Sequence, residues 1–447
     1  MACLTLKMLK TLSLAPALGL VLAVVACSNP QSSEPAVPAV ITMPGGQLDR
    51  ELAAVVQDPV LGMASLSVLS IKDGKLAYER QFGMRSMAEQ LPATPDTMYR
   101  IASVSKLVTT LGVMRLVEQG KLDLDADVKS YLGFTLRNPA FPEQAISLRM
   151  LLSHTSSLRD GGGYSWGAAT SLREAMRDSA GKWGSGHRPG AYFAYSNLNF
   201  GVIGTIMEAA GGERFDRLMQ RLVLDPLQLR GGYNPAAMPR EQWRTIAALY
   251  RKRAPDAKPW NAAGPWFSQV DDYAVRPPAP PPSLDGYVIG TNGTVFSPTG
   301  GLRMSAADLG KIMLMMMDQG RAQGTPFLLP GSLAAMMSRQ WRYEPGQPNG
   351  DTHHGLFTQW GLGVQQFDAN AGAGSSLVPG GGFAAAGHLG EAYGLLSVFA
   401  FDAVRRNGMI VLIGGTASDP AGTPGKYSAL TRQEEAVLTA LYRSVAP

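Results

Sequence analysis

A serine and a lysine three residues apart, Ser103 and Lys106, stand near the start of the run YRIASVSKLVTTLGVMRLVEQGKLDL, residues 99–124. Residues at i and i+3 share a helix face, so the lysine amine can reach the serine oxygen. From Leu107 to Val117 only Thr109, Thr110 and Arg115 interrupt the apolar residues, and a helix greasy almost all round is a buried one. An amine with an ordinary pKa near 10.4 must be lowered by about 3 to stand half neutral at pH 7. Burial and the positive end of the helix dipole both push that way. A neutral amine beside a hydroxyl is a base beside a nucleophile. The same helix start offers the backbone N–H of Ser103 to a developing oxyanion. Taken alone, the pair is equally an N-capping serine and a lysine snorkelling to solvent. Ser179 and Lys182 share the spacing, but Gly181, Gly184, Gly186, Pro189 and Gly190 prevent a buried helix there.

Two further groups carry chemistry. In HRPGAYFAYSNLNFGVIG, Tyr195 is the only one of fourteen tyrosines followed two residues later by asparagine, Asn197. It lies between a Pro-Gly loop and a helix, where short polar groups can point into a cleft. A phenol near an ammonium is expected to lose its proton more easily and can pass one between nucleophile and leaving group. In AAAGHLGEAYG, His388 and Gly390 directly precede a hairpin, which predicts an edge strand along which a substrate could lie. Gly390 would permit close backbone approach, and the Glu391 N–H is the candidate second oxyanion donor. His353-His354-Gly355 also fits His-x-Gly but sits in a loop before a separate strand, and is set aside. A zinc site of His353, His354 and His388 lacks carboxylate or cysteine partners at ligand spacing, so no cofactor is implied.

The elements that must position these groups are legible from their periods. SLSVLSIKDGKLAYERQFG predicts two strands around Asp73-Gly74, and EAYGLLSVFAFDAVRRNGMIVLIGG two more around Asn407-Gly408, followed by a closing amphipathic helix in YSALTRQEEAVLTALYRSV. Between them, helical periodicity covers 107–119, 148–154, 200–210, 215–224 and 305–317. The fold class is therefore α/β (α+β): an antiparallel sheet built from both chain ends and flanked by helices, with a mostly helical lobe, residues 107–297, inserted in its middle. Residues 235–298, with Trp243, Trp260, Trp266 and RPPAPPPSLDG, read as a long loop over one face and a candidate lid.

The chain opens with Lys7 and Lys10, an apolar run and small residues before Cys27, the pattern of a secretory signal over residues 1–26. The run is too short for a membrane span. Residues 27–46, rich in Ser, Pro, Ala and Gly, read as a disordered tether, leaving 47–447 as the folded domain. Cys3 leaves with the signal, so an exported chain has no intramolecular disulfide and must rely on packing. Losing Lys7 and Lys10 takes the formal net charge from +5 to +3, and the densest basic run, Arg251-Lys252-Arg253, is a solvated surface, which excludes a nucleic-acid partner.

Together these residues carry a resemblance. The order Ser103-x-x-Lys106, Tyr195-x-Asn197, His388-x-Gly390, with LLSHTSSL at 151–158 and PTGGLRMSAADLGKIM at 298–313, resembles the serine β-lactamase and penicillin-binding-protein superfamily, in its class C β-lactamase, DD-peptidase and β-lactamase-like esterase branch. The likeness runs from about residue 50 onward. It implies a cleft between a sheet lobe and a helical lobe, and an acyl-enzyme formed on Ser103 and released by water. It assigns Lys106 as base or proton partner, Tyr195 as proton shuttle, Asn197 as a substrate-orienting amide, and His388 and Gly390 as the edge-strand wall. Val24-Val25-Ala26-Cys27 likewise resembles a bacterial lipobox, which implies a lipid on Cys27, a membrane anchor and a place in the cell envelope, facing the periplasm. Where many relatives carry Lys-Thr-Gly or Lys-Ser-Gly, His388 is mostly neutral at pH 7, Leu389 has no hydroxyl and Glu391 is negative, so anion recognition is weakened. A small-molecule or peptide ester or amide is thus favoured over a β-lactam. The readings kept beside it are a β-lactamase, a DD-carboxypeptidase, and an envelope protein that binds penicillin or muropeptides without turnover.

Overall fold

The computed structural model describes residues 46–255 and 259–446. The expected signal and Cys27 lie outside them. Strands β1 (Ser65–Lys72), β2 (Lys75–Ser86) and β3 (Leu91–Pro92) come from the N-terminal end of this body. The C-terminal end supplies β4 (Trp341–Arg342), β5 (Gln359–Trp360), β6 (Gln365–Phe367), β7 (Ala385–Ala392), β8 (Leu395–Asp402) and β9 (Asn407–Ile413). They form one nine-stranded sheet in the order β4-β5-β6-β7-β8-β9-β1-β2-β3, and every pairing is antiparallel. The two ends of the body meet where β1 pairs with β9, Leu66 opposite Ile413 through Ile71 opposite Gly408.

Strand alternation builds both faces. Leu66, Val68, Leu396, Val398, Ala400, Met409 and Val411 turn to one side, where α1 (Gln47–Gln57) and the C-terminal α6 (Arg432–Tyr442) cover them with Leu52, Val437, Leu438 and Leu441. Leu69, Ile71, Phe399, Phe401, Ile410 and Leu412 turn to the other side, where they share one core with α2 (Val104–Glu118), α3 (Leu148–Leu152), α4 (Asn197–Gly211) and α5 (Ala306–Met317). The inserted helices and the sheet are thus layers on a common core. The described residues belong to one compact unit.

Three local expectations need correction. The turn between β8 and β9 is Ala403–Arg406, not Asn407-Gly408, because Asn407 already pairs with Asp402. The Asp402 carboxylate accepts from the N–H groups of Val404 and Arg405, and Arg406 takes the left-handed conformation (φ 57°). Asn407 instead accepts from the Asp73 N–H with its side chain, tying two hairpins together. The strand carrying His388 is not the sheet edge. β7 pairs with β8 along its length and with β6 only through Ala385–Gly387, so it is open on that side from His388 onward. Residues 235–298 are not all loop: Leu249–Arg251 and Phe267–Val270 form a small sheet with Gly415–Thr416. Tyr250 is buried there against Ala64 and Ala248.

Candidate active site

Ser103 occupies the N-cap of α2, yet its side chain makes no capping bond, and Lys106 is completely buried. Neither half of the cap-and-snorkel alternative describes this pair. The turn before them is strained, since Ala102 adopts φ 46°, a conformation that L side chains adopt rarely. Such strain at a helix start fixes the direction in which the next side chain points.

The Lys106 Nζ lies 3.0 Å from Ser103 Oγ, 2.8 Å from Asn197 Oδ1 and 2.8 Å from the carbonyl oxygen of Thr299. Burial, against a smaller opposing pull from the Asp160 carboxylate, brings its pKa down to about 7. A carbonyl and an amide oxygen can only accept. A neutral amine therefore spends its two N–H groups on Asn197 and Thr299 and turns its lone pair toward Ser103. An ammonium instead donates to all three.

Asn197 is held in that role by Asp160, whose carboxylate accepts from the Asn197 Nδ2, the backbone N–H groups of Asn197 and Leu198, and the Ser196 hydroxyl. One acidic side chain thereby closes the N-terminus of α4, satisfying donors that a helix start leaves unpaired, and sets which end of the Asn197 amide faces the lysine. Asn197 is consequently a partner of the lysine as well as part of the cleft wall. The PTGGL segment delivers Thr299 to the lysine, while the Pro298 carbonyl oxygen accepts from Thr109 Oγ1.

Tyr195 lines the same cavity as Ser103, and its hydroxyl interacts with the serine. Burial pushes its pKa well above the usual phenol range, and the Ser103 interaction only partly offsets this, so the expectation that it loses its proton more easily is wrong: at neutral pH it is a proton donor. Its ring stacks on His154 with centroids 4.4 Å apart and on Phe357 at 5.4 Å, and the lysine Nζ stands 5.1 Å from its centroid. The His154 Nδ1 accepts from the Ser196 N–H at 3.2 Å.

On the sheet side, a Cβ added to Gly390 would lie 2.8 Å from the Ile101 oxygen and 2.9 Å from the Ser103 nitrogen. The glycine lets β7 press on the chain's own helix start. Among the described residues, the Ser103 N–H makes no backbone hydrogen bond, and Glu391, opposite Leu396 of β8, lies where β7 is open on the β6 side. His388 is 2 % exposed, and burial, reinforced by the lysine charge, lowers its pKa to about 3. Its ring meets Trp360 edge-on at 5.4 Å and Tyr195 at 6.2 Å.

Two cavities adjoin at Ser103, Asn197 and Glu391. One, about 340 Å³, runs under β7 toward α6; the other, about 570 Å³, reaches Asp160, Arg100 and Thr299. All of Ser103, Lys106, Tyr195, Asn197, His388, Gly390 and Glu391 are brought together. Three contributors escaped the sequence reading. Asp160 sits in a Gly-rich turn with no local signal, and His154 was visible only as part of LLSHTSSL. His353, set aside, lines the smaller cavity edge-on to Phe357. Among the described residues, no group of three or more His, Cys, Asp or Glu could hold a metal ion, and no helix is long and apolar enough to cross a membrane.

The family model described as Beta-lactamase matches residues 52–431. Protein flp of Staphylococcus aureus strain N315 is 28% identical over 166 residues, 36% of this chain and 33% of its own length. A penicillin-binding protein of Bacillus subtilis strain 168 is 30% identical over 166 residues, 36% of each. The match therefore spans about a third of the length of these curated relatives. Among solved structures, the octameric penicillin-binding protein homologue from Pyrococcus abyssi aligns with a TM-score of 0.60 at 22% identity, over 85% of this chain and 75% of that one. The D-amino acid amidase from Ochrobactrum anthropi SV3 aligns with a TM-score of 0.59 at 20% identity, over 89% of this chain and 100% of its own. At these identities the solved structures speak to the fold.

Proposed function

Because the chain belongs to the beta-lactamase family, we propose that it is a serine hydrolase that forms an acyl-enzyme on a carboxyl ester or amide. The observation that carries this reading is the buried Lys106 amine, with a pKa brought down to about 7, 3.0 Å from Ser103 Oγ. In the first step the Ser103 hydroxyl proton passes to the Lys106 lone pair as Oγ bonds the carbonyl carbon. The oxyanion is met by the Ser103 N–H and the Glu391 N–H. Tyr195, held as a phenol, gives its proton to the leaving group as the carbon–leaving-group bond breaks, and is reprotonated from Lys106. Water then attacks the acyl carbon by the same proton path in reverse, freeing the acid and Ser103. The fold-level likeness to an amidase makes amino-acid amides reasonable first probes beside simple esters.

An ester or amide is favoured over a β-lactam because the family's cationic third motif is replaced by His388, which is neutral at pH 7. Intact mass after a fluorophosphonate probe tests the nucleophile: wild type should gain one adduct with loss of fluoride, and Ser103→Ala none. Turnover of 4-nitrophenyl butyrate against nitrocefin tests the substrate class; fast nitrocefin hydrolysis with no esterase activity reverses the ranking, and an adduct without turnover of any probe makes the protein a binder.

From the resemblance of Val24-Val25-Ala26-Cys27 to a lipobox, we propose further that the protein is anchored in the bacterial cell envelope by lipid on Cys27. Radiolabelled palmitate should enter the wild-type chain and leave Cys27→Ala unlabelled in the soluble fraction; equal membrane association of both removes the anchor.

A further inference from the structure

Among the described residues, the larger cavity beside Ser103 has one cation in its lining, Arg100. This residue ends the short strand Met98–Arg100 that leads into α2, and where that strand pairs with Arg303–Ser305 it stands directly opposite Arg303. Like charges placed so are unfavourable. The carboxylate that acts on both, Asp271, is already taken: Arg303 donates to it twice, at 3.0 and 2.6 Å, and the Tyr273 hydroxyl donates at 2.9 Å. Arg100, Arg303 and Asp271 together therefore hold one positive charge in excess.

Arg100 is partly exposed, and its guanidinium has donors to spare. Nε donates to the Gly300 oxygen at 3.3 Å, and Cζ lies over the Tyr393 ring, 5.1 Å from its centroid. The two terminal nitrogens make no hydrogen bond or ion pair among the described residues and are not sealed from the surface. Burial and the Arg303 charge hold the pKa of Arg100 below the usual arginine range, as for a cation short of counter-charge. The carboxylates of the lining do not supply it. Asp160 accepts two bonds on each oxygen, from the Ser196 hydroxyl and Leu198 N–H and from the Asn197 N–H and Nδ2, which fills its acceptor positions. The charges that act on Glu391 are those of Arg251 and Asp419. The Thr299 and Gly300 oxygens are taken by Lys106 and by Arg100 itself. Besides the arginine nitrogens, the hydroxyls of Tyr164, Ser297 and Thr299 line the same space and can donate.

We propose that Arg100 is a specificity-determining residue, which receives a carboxylate of the substrate in this arm of the cleft. A guanidinium presents its terminal N–H groups as a fork that matches a carboxylate, and an anion there offsets the excess charge, whereas an ammonium would meet like charge. The preferred ester or amide then carries an anionic group. His388 lines the smaller cavity and not this one, so Arg100 does not restore the missing third-motif cation; it holds an anion at a different place relative to Ser103. The inference rests on the hydrolase reading for its relation to Ser103, but binding at Arg100 can be tested without turnover.

The probes are butanoate, n-butanol and n-butylammonium, three ligands of similar length and different charge, used at about pH 8.5, where Lys106 is almost wholly neutral and offers a carboxylate no competing cation. Calorimetry on the full chain should show butanoate binding at least about tenfold more tightly than n-butanol, the scale of one charge-assisted hydrogen bond, with n-butylammonium weakest. The same order should hold for slowing fluorophosphonate labelling of Ser103. Arg100→Gln should bring the butanoate-to-butanol ratio near one, and Arg100→Lys, which keeps the charge but not the fork, should retain a reduced preference; the lysine variant decides if the glutamine variant does not fold. Equal binding of carboxylate and alcohol by wild type, or a ratio unchanged in either folded variant, overturns the subsite. If Ser103 takes no phosphonate, the hydrolase reading fails, and the calorimetric preference still decides the subsite.

Discussion

Lys106 has three oxygen partners and two protonation states, and the difference between the states is the reactivity of Ser103. Below about pH 7 the ammonium donates in all three directions and has no lone pair for the serine proton. Above it, the third direction is free to accept. Lys106→Met keeps a side chain of similar length in the buried site, so the melting temperature should shift by only a few degrees while the labelling rate of Ser103 falls by about 10² to 10⁴-fold, the range for loss of a general base; a near-normal rate removes the lysine from the mechanism. Asp160→Asn should lower the pKa of Lys106 further, because the carboxylate charge is what opposes its depression. The midpoint of the pH–rate curve should then move to lower pH, and an upward move contradicts the electrostatic picture. The pairing of Ser103 with Lys106 could be read from spacing and helix hydrophobicity. The partners of the lysine could not, since Asn197 and Thr299 are 91 and 193 residues away.

At the scale of elements, the site is a junction of three pieces: the start of α2, the start of α4 and the open side of β7. Each was visible as an element, because apolar period marks helices and strands. Their ends were less so. The β8–β9 turn was misplaced because Asn-Gly is a strong hairpin signal, but here the Asn407 side chain was needed to bind Asp73. Residues 235–298 hid two strands among prolines. Gly390 is where α2 and β7 meet. Gly390→Ala puts a methyl group against backbone that cannot swing away, so labelling should fall by roughly 10²-fold, the effect of misplacing a catalytic group by about 1 Å, with a lower melting temperature. An alanine variant with wild-type rate and stability means that β7 does not brace the nucleophile.

For the whole molecule, the sheet's origin at both chain ends was legible because the strong hairpin signals of the sequence lay there, and the inserted helices because their stretch shows a different period. That the two would share a core was not, since patterns specify which faces are apolar and not which faces meet. The shared core has a thermodynamic consequence: side chains from β1, β8 and β9 interdigitate with α2, α4 and α5, so neither layer can open without exposing the other. Differential scanning calorimetry should record one endotherm for the body, and two well-separated endotherms would mean that the layers are independent.

The most direct test of the central claim, that a lysine held near neutrality activates Ser103, is the pH dependence of Ser103 phosphonylation in wild type and Lys106→Met. The wild-type rate should climb about tenfold per pH unit below a midpoint near 7 and level off above it, and the variant should be slow and flat across that range. A wild-type curve without an inflection near 7, or a variant that keeps it, contradicts the account.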